Sequence, residues 1–251
     1  MNALEQIVLF LVSLVANLFS AFSGGGAGLI QLPALIFLGL PFGVALGTHK
    51  VASVALGIGA TIRHLREDRL ERRLVAYILV FGLPGVIIGA NTILHVPERA
   101  AEIALGLLTA GLGVYSTLNP GLGQIVRLAH RDRIGLLIGG LVLFGIGVLN
   151  GSLTSGTGLF VTLWLVRWFG LDYRRAIAYT LILVGLFWNA TGAITLGILS
   201  EIYWDWLPVL LAGSLIGGYL GAHLAIKSGN RWIKRGFEIV TLLVGLKLII
   251  G

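Results

Sequence analysis

The chain has 251 residues, of which 57% are hydrophobic and 12% charged, and its net charge is +7. A soluble domain carries roughly 25% charged residues, so this composition excludes an ordinary soluble fold and points to lipid. The absence of cysteine excludes a disulfide framework and a thiolate metal site, and nucleic acid is not an expected partner, because the basic residues fall in a few short connections.

Apolar stretches near the roughly 20 residues needed to span a bilayer follow one another along the chain. The first, Leu4–Phe22, has no Lys or Arg before it, unlike a signal peptide, and is expected to be a retained helix. It runs into Ser23-Gly24-Gly25-Gly26-Ala27-Gly28 and then a short apolar segment, Leu29–Leu40. Gly43–Ile62, Leu74–Leu94 and Ala100–Leu118 complete a first half. After residues 118–133 the pattern resumes with Ile134–Leu153, the break Ser155-Gly156-Thr157-Gly158, the short Leu159–Phe169, then Ala176–Thr195, Leu207–Ile226 and Gly236–Ile250. The expected organisation is one transmembrane domain, 1–251: repeat one at 1–117, a basic cytoplasmic linker at 118–133 and repeat two at 134–251.

An offset near 131 places Gly25–Leu29 on Ser155–Leu159, Gly39-Leu40 on Gly170-Leu171, and Gly85/Gly89 on Gly217/Gly221. Fifteen of the 18 Lys and Arg residues lie in the loops 63–73, 118–133, 166–175 and 227–235. In equivalent loops the basic residues alternate in opposite sense between the halves. Because basic loops stay in the cytoplasm, the two repeats are expected to be inverted, with both termini outside. The expected fold is an all-α polytopic membrane protein of two inverted repeats, about five helical segments each, broken or re-entrant at the Gly-rich turns.

A 12-residue segment such as Leu29–Leu40 is about 18 Å long as a helix, too short for a hydrocarbon core of about 30 Å. Its N-terminus would lie at membrane depth, where unpaired N–H groups and the helix dipole make an anion site. Expected ligands are the turn residues Gly24, Gly25, Gly26, Gly28, Gly156, Thr157 and Gly158, with Ser23, Ser155 and Gln31 as side-chain partners. Lys50 would supply positive charge from the face shared with Ser53, Gly57 and Thr61, and His49 beside it could carry a proton. Thr48 and Tyr179 would shape the pocket, with Thr180 and Asn189 facing it. Gly85/Gly89 and Gly217/Gly221 are read as helix-packing spacings. No acidic residue is expected well inside an apolar segment, which suits an anion. Metal-ligand and enzymatic motifs are absent from the sequence, so neither a cofactor nor catalysis is expected.

Residues 23–35, Ser-Gly-Gly-Gly-Ala-Gly-Leu-Ile-Gln-Leu-Pro-Ala-Leu, then Gly39-Leu40-Pro41 and Ala45-Leu46-Gly47-Thr48-His49-Lys50, resemble the TauE/SafE sulfite exporter family, also called the toluene sulfonate uptake permease family. Arg63-His64-Leu65-Arg66 and Leu83-Pro84-Gly85 continue the likeness. The resemblance implies a carrier of sulfite, sulfonates or sulfoacetate in a prokaryotic plasma membrane. His49 replaces the family's frequent Asn, and the second Gly run lacks the Pro matching Pro33. The expected partners are a small anionic substrate, the bilayer and a coupling proton or sodium ion, in a monomer or homodimer. The alternatives are an anion channel or a non-transporting accessory or assembly factor.

Overall fold

A computed structural model of the protein describes residues 3–67, 70–92, 98–153 and 156–250, and these contain helices and no strands. In chain order the helices are α1 (Ala3–Ser23), α2 (Gly28–Phe37), α3 (Phe42–His64), α4 (Arg72–Thr92), α5 (Glu98–Leu118), α6 (Arg133–Ser152), α7 (Thr157–Arg167) and α8 (Tyr173–Tyr179). A π-helical stretch, Thr180–Trp188, carries α8 into α9 (Asn189–Leu199), and a 3-10 turn, Trp204–Trp206, precedes α10 (Leu207–Ser228) and α11 (Asn230–Ile250).

Among the described residues, six helical stretches are long and apolar enough to cross a membrane: α1, α3, α4, α6, the continuous Tyr173–Leu199 and Trp204–Ser228. The expected crossings Ala100–Leu118 and Gly236–Ile250 fall outside these six. Ala100–Leu118 lies within α5. Gly236–Ile250 belongs to α11, whose helix begins further upstream and brings Arg231, Lys234, Arg235 and Glu238 with it. The connection expected at 227–235 shrinks to Gly229 at φ +78° between α10 and α11, so Arg231, Lys234 and Arg235 are helical. Glu238 lies on the third turn of α11, where its carboxylate pairs with Lys234 and accepts from Ser116 Oγ at 3.0 Å.

Glycine sets the closest helix pairs, since a side chain would hold the backbones apart. A Cβ on Gly213, Gly217 or Gly221 of α10 would fall 2.8, 2.5 or 2.2 Å from the carbonyls of Phe10, Leu14 and Leu18, so α10 and α1 run parallel in direct contact. On α4, Gly85 and Gly89 stand equally close to the Phe144 and Val148 carbonyls of α6, again in parallel. Both Gly-xxx-Gly spacings are therefore packing devices. Gly106 and Gly113 of α5 meet α11 near Gly245 and Thr241, antiparallel.

All four basic segments converge at one end of the molecule. Arg63 and Arg174 both pair with Glu67, at 2.8 and 3.2 Å, and Arg131 pairs with Glu71 at 3.1 Å. Asn230 accepts from Arg174 N–H at 2.9 Å and donates to the Gln124 carbonyl at 3.0 Å. The hydrogen bond from Arg63 holds the exposed Glu67 carboxyl below the usual carboxylate range. The acidic connection at 200–206 lies elsewhere, against the first turns of α3, where Tyr203 N–H donates to Thr48 Oγ1 at 2.9 Å.

Candidate functional site

Two glycine turns build the site. Gly24, Gly25 and Gly26 have φ of +91°, +146° and +105°, values that a side chain rarely tolerates. This lets the chain reverse in three residues, with the Gly24 and Gly25 N–H groups both donating to the Ser20 carbonyl, at 2.9 and 2.8 Å. The second turn uses Gly156 at φ +75° ahead of α7. The 10 residues of α2 and 11 of α7 give lengths of about 15 and 16 Å, so neither could span a hydrocarbon core of about 30 Å. Their starts meet: a Cβ on Gly25 would lie 2.6 Å from the backbone of Gly158 and Leu159, and one on Gly158 would lie 3.0 Å from Gly25 Cα. Thr162 of α7 ties the turns further by donating to the Gly24 carbonyl at 2.8 Å.

Neither start has a side-chain cap. Among the described residues the Gly26 and Ala27 N–H groups find no partner, and both residues line a cavity of about 40 Å³ between the turns, α3 and the π-helical stretch. That is room for about three waters, at the ~10–15 Å³ each requires, so the scale is that of a small oxyanion. Unpaired N–H groups at a helix start attract negative charge.

Of the expected site residues, Gly25, Gly26, Gly28, His49, Thr157, Gly158, Thr180 and Asn189 line this cavity. Lys50 stands one residue behind it. Its side chain is fully buried, and its ammonium donates to the Asn150 carbonyl at 2.7 Å and to Asn150 Oδ1 at 3.2 Å. Asn150 Nδ2 donates in turn to Thr157 Oγ1 at 2.8 Å, and Asn150 and Thr157 both face the cavity. Gly192 makes room for the lysine stem, since a Cβ there would fall 2.7 Å from Lys50 Cδ. No carboxylate reaches Lys50 among the described residues, so its amine stands beside the site without a counter-charge.

His49 is fixed by its neighbours. Gln31 Oε1 can only accept, so His49 Nδ1, 3.0 Å away, donates to it, and Ser53 Oγ lies 3.2 Å from Nε2. Gln31 Nε2 donates to Ser13 Oγ at 3.1 Å, and Asn17 bridges Ser13 and Ser214. This places Gln31 in a polar core between α1, α2 and α10 that holds His49, away from the cavity wall. Ser23 is likewise engaged, donating to the Phe19 and Gly25 carbonyls at 2.8 and 3.1 Å. Gly24 and Gly156 shape the turns without lining the cavity. Thr48 accepts from Tyr203 N–H, and the Tyr179 hydroxyl accepts from Glu71 N–H at 2.7 Å, so both serve connections far from the turns. Ser155 lies outside the described residues.

Sequence reading missed Ser20, Asn150 and the π-helical lining of Leu181, Val184 and Gly185. Ser20 and Asn150 stand five positions before Gly25 and Ser155, so the repeat held that signal. The π-helix held none, because its backbone pattern has no residue signature in an apolar run. Its Gly185 lies against Gly57 of α3, where a Cβ on Gly57 would come within 2.5 Å of the Gly185 backbone. π-segments occur frequently at functional sites. Among the described residues no three His, Asp or Glu side chains gather as a metal site would require.

The molecule thus falls in the class of all-helical multi-pass membrane proteins with a polar cavity where two short helices begin. The chain belongs to the sulfite exporter TauE/SafE family, which matches it over residues 9–248. It is 29% identical over 244 residues to a probable membrane transporter protein of Haemophilus influenzae, covering 96% of this chain and 93% of that one. It is 28% identical over 248 residues to the probable membrane transporter protein YfcA of Escherichia coli, with 96% and 88% coverage. YunE of Bacillus subtilis, also described as a probable membrane transporter protein, is 21% identical over 269 residues, with 97% of each chain covered. No solved structure matches.

Proposed function

We propose that the protein is a secondary carrier, not an enzyme, moving a small sulfur-containing anion of the sulfite, sulfonate or sulfoacetate class across a prokaryotic plasma membrane by alternating access. The observation that carries this reading is the backbone contact between Gly25 and Gly158, which brings the electropositive starts of α2 and α7 to one buried cavity beside the unneutralised Lys50. The family match and the transporter descriptions of the relatives favour the same class.

Two inverted repeats account for the packing. In this reading α1 and α6 open the repeats, and each runs beside the fourth segment of the other repeat, α10 and α4, with the continuous Tyr173–Leu199 counted as one. The convergence of basic segments at one end supports a cytoplasmic face there and termini outside. Rocking of one repeat against the other would open the small cavity to each side in turn. The cavity's size favours a carrier over a channel, which needs a continuous water path.

The test is flux in proteoliposomes. A carrier accumulates labelled sulfite or a sulfonate against its gradient when a proton or sodium gradient is imposed. Flux that only ever runs down the anion's own gradient supports the channel, and no flux with any tested anion overturns the reading.

A further inference from the structure

Asn189 opens α9, lines the cavity, is 6% exposed, and has no partner for its Oδ1 among the described residues. Its orientation is set by the other amide atom, Nδ2, which lies 3.4 Å from the Gly185 carbonyl. Turning the amide over would set oxygen against oxygen, so Oδ1 is the atom left without a partner. The same cavity is lined by Gly26 and Ala27, whose N–H groups have no partner among the described residues. A buried acceptor left unmatched is costly, and a bare oxyanion cannot match it because it has only lone pairs to offer.

We infer that the cavity takes its anion as a protonated monoanion, an oxyanion that keeps one O–H, with its charged oxygens toward the Gly26 and Ala27 N–H groups and its hydrogen donated to Asn189 Oδ1. Hydrogen sulfite has this form, whereas a fully deprotonated sulfonate lacks the hydrogen. A proton therefore crosses with each anion as part of the substrate, without a buried carboxylate to carry it. The inference rests on the anion-carrier reading and sharpens its substrate class.

Methanesulfonate and the monoanion of methylphosphonate have the same shape and charge and differ by one acidic hydrogen. Their affinities for the purified full-length protein are compared by titration at a mildly acidic pH where the phosphonate is a monoanion. The wild type is expected to bind methylphosphonate about tenfold more tightly, the order expected when a buried acceptor is paired rather than orphaned. Asn189→Ala is expected to bring the ratio close to one. The wild-type ratio needs no variant, so an unfolded Asn189→Ala leaves that comparison standing. Equal binding, or tighter methanesulfonate, in the wild type overturns the inference while leaving anion binding intact. A ratio that survives Asn189→Ala overturns it as well. If neither anion binds and sulfite does not either, the carrier reading fails and the inference falls with it.

Discussion

Lys50 carries the only cation set against the wall of the cavity among its described neighbours, and it is held by neutral groups, the carbonyl and side chain of Asn150. A buried charge without a counter-charge is costly, which supports the role proposed for Lys50 in binding the anion. Lys50→Met, similar in volume and neutral, is expected to lower anion flux in proteoliposomes at least tenfold while leaving the melting temperature unchanged or raised. Wild-type flux would remove Lys50 from the mechanism. Gly25→Ala should act oppositely, through stability. A positive φ and a Cβ 2.6 Å from the Gly158 backbone together are expected to cost about 3 kcal/mol, read as a loss of folded protein by size exclusion. At this scale the sequence disclosed the charges and the glycines, because an isolated Lys and a Gly run stand out in an apolar chain. It did not disclose that Gln31, Thr48 and Tyr179 are engaged away from the cavity, because their partners, Ser13, Tyr203 N–H and Glu71 N–H, are remote in sequence and polarity alone does not say which way a side chain faces.

Among helices, the glycine contacts separate two kinds of position. Gly89 meets the Val148 carbonyl, where a Cβ would fall 2.0 Å away, whereas a Cβ on Gly145 of α6 meets nothing within 4 Å. Gly89→Val is expected to abolish folding or lower the melting temperature by many degrees, because α4 and α6 must separate. Gly145→Ala is expected to be neutral or stabilising by about 0.5–1 kcal/mol, since alanine is the better helix former. Equal behaviour of the two variants in thermal denaturation would contradict the packing account. The boundaries of α1, α3 and α6 were legible because apolar runs end at glycine or charge. The start of α11 was not, because its first turns are amphipathic and carry charges that hydropathy assigns to loops.

For the molecule as a whole, the native chain has no cysteine, so single introduced cysteines report sidedness without background. Glu201→Cys is expected to react with a membrane-impermeant maleimide added to intact cells, and Arg127→Cys only after the membrane is opened. Both positions lie on exposed connections. Labelling of both from one side would overturn the proposed inversion.

The account turns on one anion seated where α2 and α7 begin. Anomalous diffraction from crystals soaked with selenite, a sulfite analogue with a strong scattering centre, would locate it directly. The expected result is a selenium peak between Gly26 and Thr157, within hydrogen-bond reach of the Gly26 and Ala27 N–H groups. Selenium only in the arginine-lined cavity near Arg127 and Arg167, or nowhere in the molecule, would contradict it.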